Sequence, residues 1–167
     1  MKAKLVIEGK EFPIEINDPE LQKLVAPPKK NGYELVGYGH TYSFVDNYGD
    51  VVTLDHQDQD DNNRYEEANY YSDRIVAENN ARVDKLMRQL RRFAVFQRDK
   101  TPDWHNTKAM KWYIVFDYDE NDLFINNCYF RRAPFCIYFH SRECAQAAID
   151  LFHDELIWYF AEYKDSL

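Results

Sequence analysis

The densest groups able to do chemistry in this 167-residue chain are acidic. His56 stands among Asp55, Asp58, Asp60 and Asp61, which supply oxygen and nitrogen donors for a divalent cation. A solvated acidic loop explains the same letters more simply. A second run, Asp117-Tyr118-Asp119-Glu120-Asn121-Asp122, opens like a calcium loop, with oxygen donors at its first, third and fifth positions. It departs from that pattern at Asp122, where the sharp turn needs Gly, and at Cys128, where a bidentate Glu closes the shell. The sequence therefore predicts an acidic hairpin turn there. Cys128, Cys136, Cys144 and His140 form the one soft-metal set, and their separations give no paired C-x-x-C knuckles. Cys128 and Cys136 fall in expected strands, where a thiol behaves as a small buried hydrophobe. No metal and no cofactor is expected. The nucleophile elbow, the phosphate loop, the dinucleotide fingerprint and the H-E-x-x-H zinc motif are all missing. A non-enzymatic role is expected, the alternative being a small enzyme whose site only the fold assembles.

Charge is the next informative property. The chain carries 21 Lys plus Arg against 29 Asp plus Glu, for a net −8, which argues against a general nucleic-acid coat. The distribution is uneven. Residues 46–81 hold two basic and ten acidic side chains, residues 82–111 hold nine and three, and residues 112–167 hold four and ten. Arg82, Lys85, Arg88, Arg91 and Arg92 thus form a basic helix face within residues 82–98. That face is either a nucleic-acid surface, for a guide RNA among others, or a solvated stripe balanced by the acidic segment. Few aromatics interleave its Arg residues, which favours the second reading.

The elements that must position these groups follow from periodicity. KAKLVIEG and KEFPIEIN read as a hairpin turning at Glu8-Gly9-Lys10, and Asp18-Pro19 opens a short helix that Pro27-Pro28 ends. A Gly- and Lys-rich linker follows. TYSFV and VVTL flank the turn Asp46-Asn47-Tyr48-Gly49-Asp50, and DHQDQDDNNRYEE, without apolar periodicity, is expected as an exposed loop or frayed edge. From Ser72 or Asp73 to about Gln97 an amphipathic helix places Val83, Leu86, Met87, Leu90, Phe93 and Ala94 on one face. KWYIVFDY, LFINNCYF and PFCIYFH then read as a three-stranded antiparallel meander. Ser141 caps a final helix with Ala145, Ala148, Ile149, Phe152, Leu156 and Phe160 on its apolar face. The fold class is α+β. Three segments are expected: 1–36, 37–100 and 101–167, the last two sharing a core. Tyr70-Tyr71-Ser72-Asp73 and Tyr138-Phe139-His140-Ser141 each precede a helix, either by shared capping grammar or by duplication. Uncovered, PFCIYF is an edge that a second copy could pair with, so the oligomeric state is open.

No apolar run is long enough for a membrane span, the start lacks a signal-peptide core, and three Cys suit a reducing compartment, so a cytoplasmic protein is expected. The order Asn69-Tyr70-Tyr71, a helix ending LMRQLRRFA, Asp103-Trp104 leading into KWYIVFDYDENDLFI, and IYFHSRECAQAAIDLF resembles small uncharacterised proteins of phages and mobile elements of Gram-positive bacteria. The resemblance spans residues 42–160 and carries no catalytic residue. It implies an accessory protein in a host bacterial cell, and for an acidic, Tyr-rich member it implies a stoichiometric inhibitor of a host defence nuclease, as anti-CRISPR proteins are. Such an inhibitor would present carboxylates in place of nucleic acid to a basic channel. The candidate contact residues are Asp55, Asp58, Asp60, Asp61, Glu66, Glu67, Asp117, Asp119, Glu120 and Asp122, with Tyr48, Tyr65, Tyr70 and Tyr71 as aromatic anchors.

Overall fold

The computed structural model describes residues 2–7, 10–15, 17, 30–96 and 102–164 of the chain. The expected helix after Pro19 and the Glu8-Gly9 turn lie outside them. The chain forms two compact units, residues 1–31 and 32–167. In the first, β1 (Lys2–Ile7) pairs antiparallel with β2 (Lys10–Glu15), Lys2 opposite Glu15 and Ile7 opposite Lys10. Pro13 sits opposite Lys4, a position open to a residue without an N–H because both strands of a two-stranded sheet are edges.

The second unit is α+β. β3 (Thr41–Val45) and β4 (Val51–Asp55) form a hairpin. Its turn is closed by the Asp46 carboxylate, which accepts from the Tyr48 and Asp50 amides at 2.8 and 2.9 Å, while Gly49 supplies a φ of +91°. α1 (Gln59–Glu66) follows, then α2 (Arg74–Phe96), with Asp73 accepting from the Ile75 and Val76 amides at its N-terminus. β5 (Lys111–Asp117) and β6 (Asp122–Cys128) form the third hairpin, and α3 (Arg142–Ile157) runs into a π-helical turn at Trp158–Glu162. Residues 32–36, expected as linker, are held in place. Gly32 is buried at φ +92°, where a Cβ would stand 2.6 Å from Val76 Cγ2, and its carbonyl accepts from the Ser72 amide.

Helix α2 serves two cores. Its first turns give Val76 and Ala77 to a cluster with Tyr71, against which Tyr33, Val45 and Val51 pack. Its later turns give Leu86, Leu90 and Ala94 to the main core, with Leu123, Phe139 and the α3 residues Ala145, Ala148, Ile149 and Leu156. The apolar faces expected of both long helices are the buried ones. The Tyr-Tyr and Tyr-Phe recurrence has a structural counterpart. Tyr71 exchanges both backbone hydrogen bonds with Ser43 of β3 at 2.8 Å, and Phe139 does the same with Trp112 of β5 at 2.7 and 3.1 Å. The β3–β4 hairpin is thereby tied to the start of α2 and the β5–β6 hairpin to the start of α3.

Two expectations are corrected. The segment 55–67 is no loose loop, because Asp58 caps α1 by accepting from the Asp60 and Asp61 amides while the Asp61 side chain reaches back to the Asp58 amide. This helix has no apolar period to detect; polar bonds hold it. The three-stranded meander is a two-stranded hairpin with one added bridge at Phe139. Pro134 lacks an N–H and Phe135 sits at φ +62°, so the chain turns at the place where a third strand would extend. PFCIYF is accordingly no exposed edge strand. Among the described residues no helix is long and apolar enough to cross a membrane.

Candidate functional site

The expected contact residues separate into interior and surface groups. Tyr42 and Tyr70 are each 1% exposed and stack with ring centroids 3.9 Å apart. The Tyr42 hydroxyl donates to Asp61 Oδ1, and Arg64 donates to both, at 2.7 Å to the hydroxyl and 3.0 Å to the carboxylate. Asp61 Oδ2 accepts from the Gln57 and Asp58 amides at 2.7 and 3.0 Å, and the Arg64 guanidinium lies 4.3 Å from the Phe44 ring centre. Burial pushes the Asp61 carboxyl up, but the Gln57 amide, Tyr42 hydroxyl, Asp58 amide and Arg64 charge outweigh it and hold it at about 2. Tyr42 moves the other way, to about 12, through burial and its bond to the Asp61 carboxylate. Burial also raises Tyr70, and burial with the neighbouring Tyr33 raises Tyr71 to about 12. Asp61, Tyr70 and Tyr71, expected to touch a partner, are therefore structural, and each phenol stays protonated at neutral pH.

On the surface, Asp55, Asp58, Asp60, Glu66 and Glu67 are exposed along the end of β4 and α1, with Asp58 engaged as the cap. Tyr48 is 91% exposed at the β3–β4 turn and Tyr65 is 42% exposed on α1. Asp117 is half-buried, and its Oδ1 accepts from the Asp119 and Glu120 amides at 2.9 and 3.2 Å, the turn chemistry that its place between two strands demands. Asp119, Glu120 and Asp122 are exposed beside it. Among the described residues, no group of three or more His, Cys, Asp or Glu is placed to hold a metal ion. Cys128 closes β6, Cys136 lies outside any strand and Cys144 is buried in α3. Both ring nitrogens of His140 are buried without a hydrogen-bond partner among the described residues.

The basic stripe also divides. Arg82 is spent within the fold: its guanidinium pairs with both Glu155 oxygens at 2.8 and 3.1 Å and lies 3.8 Å from the Trp158 ring centre. The Arg82 bond holds the Glu155 carboxyl below its ordinary range despite burial. Lys85, Arg88, Arg91 and Arg92 are exposed. Arg91 meets Arg132, from the loop after β6, across a groove with adjoining lobes of about 430 and 340 Å³. Phe135, Trp104 and Tyr138 contribute its aromatic walls. Past Pro134 and Cys136 the groove opens onto a more apolar hollow of about 250 Å³ lined by Met87, Leu90 and Phe160.

Buried Lys111 builds this region. Only 1% exposed, it donates to the carbonyls of Asn106, Ala109 and Tyr129 at 2.5, 2.8 and 2.7 Å, and its ammonium lies 5.5 Å from the Trp104 ring centre. One cation thus joins the loop before β5 to the loop after β6 and fixes Trp104 between them. Trp104 meets Tyr138 edge-on at 4.8 Å, and Arg132 lies 5.5 Å from its ring centre. The Tyr138 hydroxyl accepts from the Ala133 amide at 2.8 Å, which shapes the 133–138 turn. Sequence reasoning passed over Arg132, Trp104 and Phe135. The signal that could have found them is the alternation Tyr129-Phe130-Arg131-Arg132-Ala133-Pro134-Phe135, where aromatics do interleave with Arg. No family model, curated protein or solved structure matches the chain.

Proposed function

We propose that the chain is a non-enzymatic accessory protein of a phage or mobile element that acts in the bacterial cytoplasm. It binds a basic surface of a host defence nuclease of the CRISPR effector kind and excludes nucleic acid from it. The supporting observation is an uncompensated negative surface. Arg64 and Arg74, the two cations of residues 46–81, are engaged by Asp61 and Glu78. Asp55, Asp60, Glu66 and Glu67 are therefore left exposed with no ion pair among the described residues. Tyr65 is the anchor on that surface, while Tyr48, at the far end of the β3–β4 hairpin, and Asp119, Glu120 and Asp122, on the β5–β6 turn, are further exposed contact candidates on separate turns. Carboxylates on a capped helix suit a channel built to hold phosphates.

Purified effector nucleases, tested by pull-down and by inhibition of cleavage at about 50 and about 300 mM salt, are the direct assay. Binding is expected at low salt and should weaken at high salt. The combined variant Asp55→Asn, Asp60→Asn, Glu66→Gln, Glu67→Gln should lose about tenfold or more in affinity. No binding at low salt, or binding indifferent to both salt and the variant, refutes the proposal. The groove at Arg91 and Arg132 favours a second reading, in which the later part of α2 serves a nucleic acid.

A further inference from the structure

The groove divides its side chains as a flexible polyanion with flat bases requires. Arg91 and Arg132 approach it from two separate elements, and no carboxylate is among the described residues lining its two lobes. Neither Arg makes an ion pair among the described residues. Phe135 is 92% exposed although its backbone occupies the left-handed region at φ +62°, so folding gains little from the ring and bears a conformational cost. Phe130, 67% exposed, stands on the same loop with Arg131 over its ring at 5.8 Å. Exposed rings engage bases only where these are unstacked, which a duplex does not offer.

We propose that this groove binds single-stranded nucleic acid, with phosphates on Arg91 and Arg132 and a base against Phe135. The site is independent of the acidic surface on α1. Arg82, held by Glu155 and Trp158, takes no part. Lys111 is a positioning residue, since it sets Trp104 under Arg132 without facing the strand.

Fluorescence polarisation with labelled oligouridylate and oligothymidylate of about 12 nucleotides tests this, against a duplex of equal length and a poly-glutamate peptide. Both single strands should bind at about 50 mM salt. The duplex should bind about tenfold or more weakly. The double variant Arg91→Gln, Arg132→Gln should weaken binding about tenfold or more and reduce the salt slope by about 1.4. Phe135→Asn, a change at an exposed left-handed position that Asn accepts, should weaken it about fivefold or more with the thermal midpoint raised rather than lowered. Absence of binding, equal affinity for the duplex, equal affinity for poly-glutamate, or unchanged affinity in both variants each overturns the proposal. The variant of Asp55, Asp60, Glu66 and Glu67 should bind the oligonucleotides as the parent does, so this proposal and the nuclease-binding one fail separately.

Discussion

Replacing Asp61 by Asn keeps the shape of the side chain and removes the charge on which Tyr42, Arg64 and two backbone amides converge. A carboxyl held at about 2 instead of the ordinary 3.8 corresponds to about 2 kcal/mol of folding free energy at neutral pH. That figure is a ceiling, because Arg64, whose charge helps to lower the carboxyl, is 30% exposed and therefore partly screened by water. A loss of about 1–2 kcal/mol at pH 7 is expected for Asp61→Asn. The folded pKa lies below the unfolded one, so the carboxylate's contribution is complete above about pH 5 and lost as pH falls through 3.8 toward 2, about half being gone near pH 3. The gap between parent and variant should close over the same window. Urea unfolding followed by tryptophan fluorescence measures it, because Trp104, Trp112 and Trp158 all lie in the unit of residues 32–167. A gap that stays constant from pH 7 to pH 3, or no gap at pH 7, refutes the assignment of Asp61 as a buried, charged anchor.

Four further outcomes are expected. Lys111→Met leaves three carbonyls without their shared donor and should cost about 3 kcal/mol or more, with the emission of Trp104 shifting red as its loop opens. Arg82→Ala should cost about 1 kcal/mol, since the pair with Glu155 is nearly half exposed and the Trp158 contact adds to it, while oligonucleotide binding stays unchanged; reduced binding would return Arg82 to the nucleic-acid surface. Phe135→Asn should raise stability by about 0.5–1 kcal/mol in thermal unfolding while lowering affinity for single strands, the opposite signs separating a binding ring from a structural one. His140→Phe removes two buried nitrogens that have no partner among the described residues and should stabilise the protein by about 1 kcal/mol in the same assay; destabilisation would mean that the imidazole is satisfied in solution.

Apolar periodicity made both long helices legible, because Leu86, Leu90, Ala145 and Ala148 recur at the spacing that burial imposes on a helix. The capping residues Asp73 and Ser141 were legible for the same local reason. α1 was not, since what folds it is a carboxylate turned inward, and a buried Asp has the same letter as an exposed one. The third strand failed for a related cause: PFCIYFH has strand composition, but one Pro and one left-handed Phe outrank six residues of propensity. The groove was hidden because its members come from residues 91, 104 and 132–138, and the last two meet through the buried Lys111 and the contacts of Trp104 with Tyr138 and Arg132.

The matched bridges at Tyr71 and Phe139 place Tyr42 and Lys111 in equivalent slots, each directly before the bridged residue of its hairpin. Both are 1% exposed and both end in a polar group, yet one slot is satisfied by a phenol, a carboxylate and a guanidinium and the other by an ammonium and three carbonyls. What the architecture specifies at that slot is a reach and a hydrogen-bond terminus, with the residue type left free. Relatives of this fold are therefore to be sought by that vacancy in the plan, an anchoring side chain ahead of an aromatic bridge and a capped helix, rather than by an invariant amino acid.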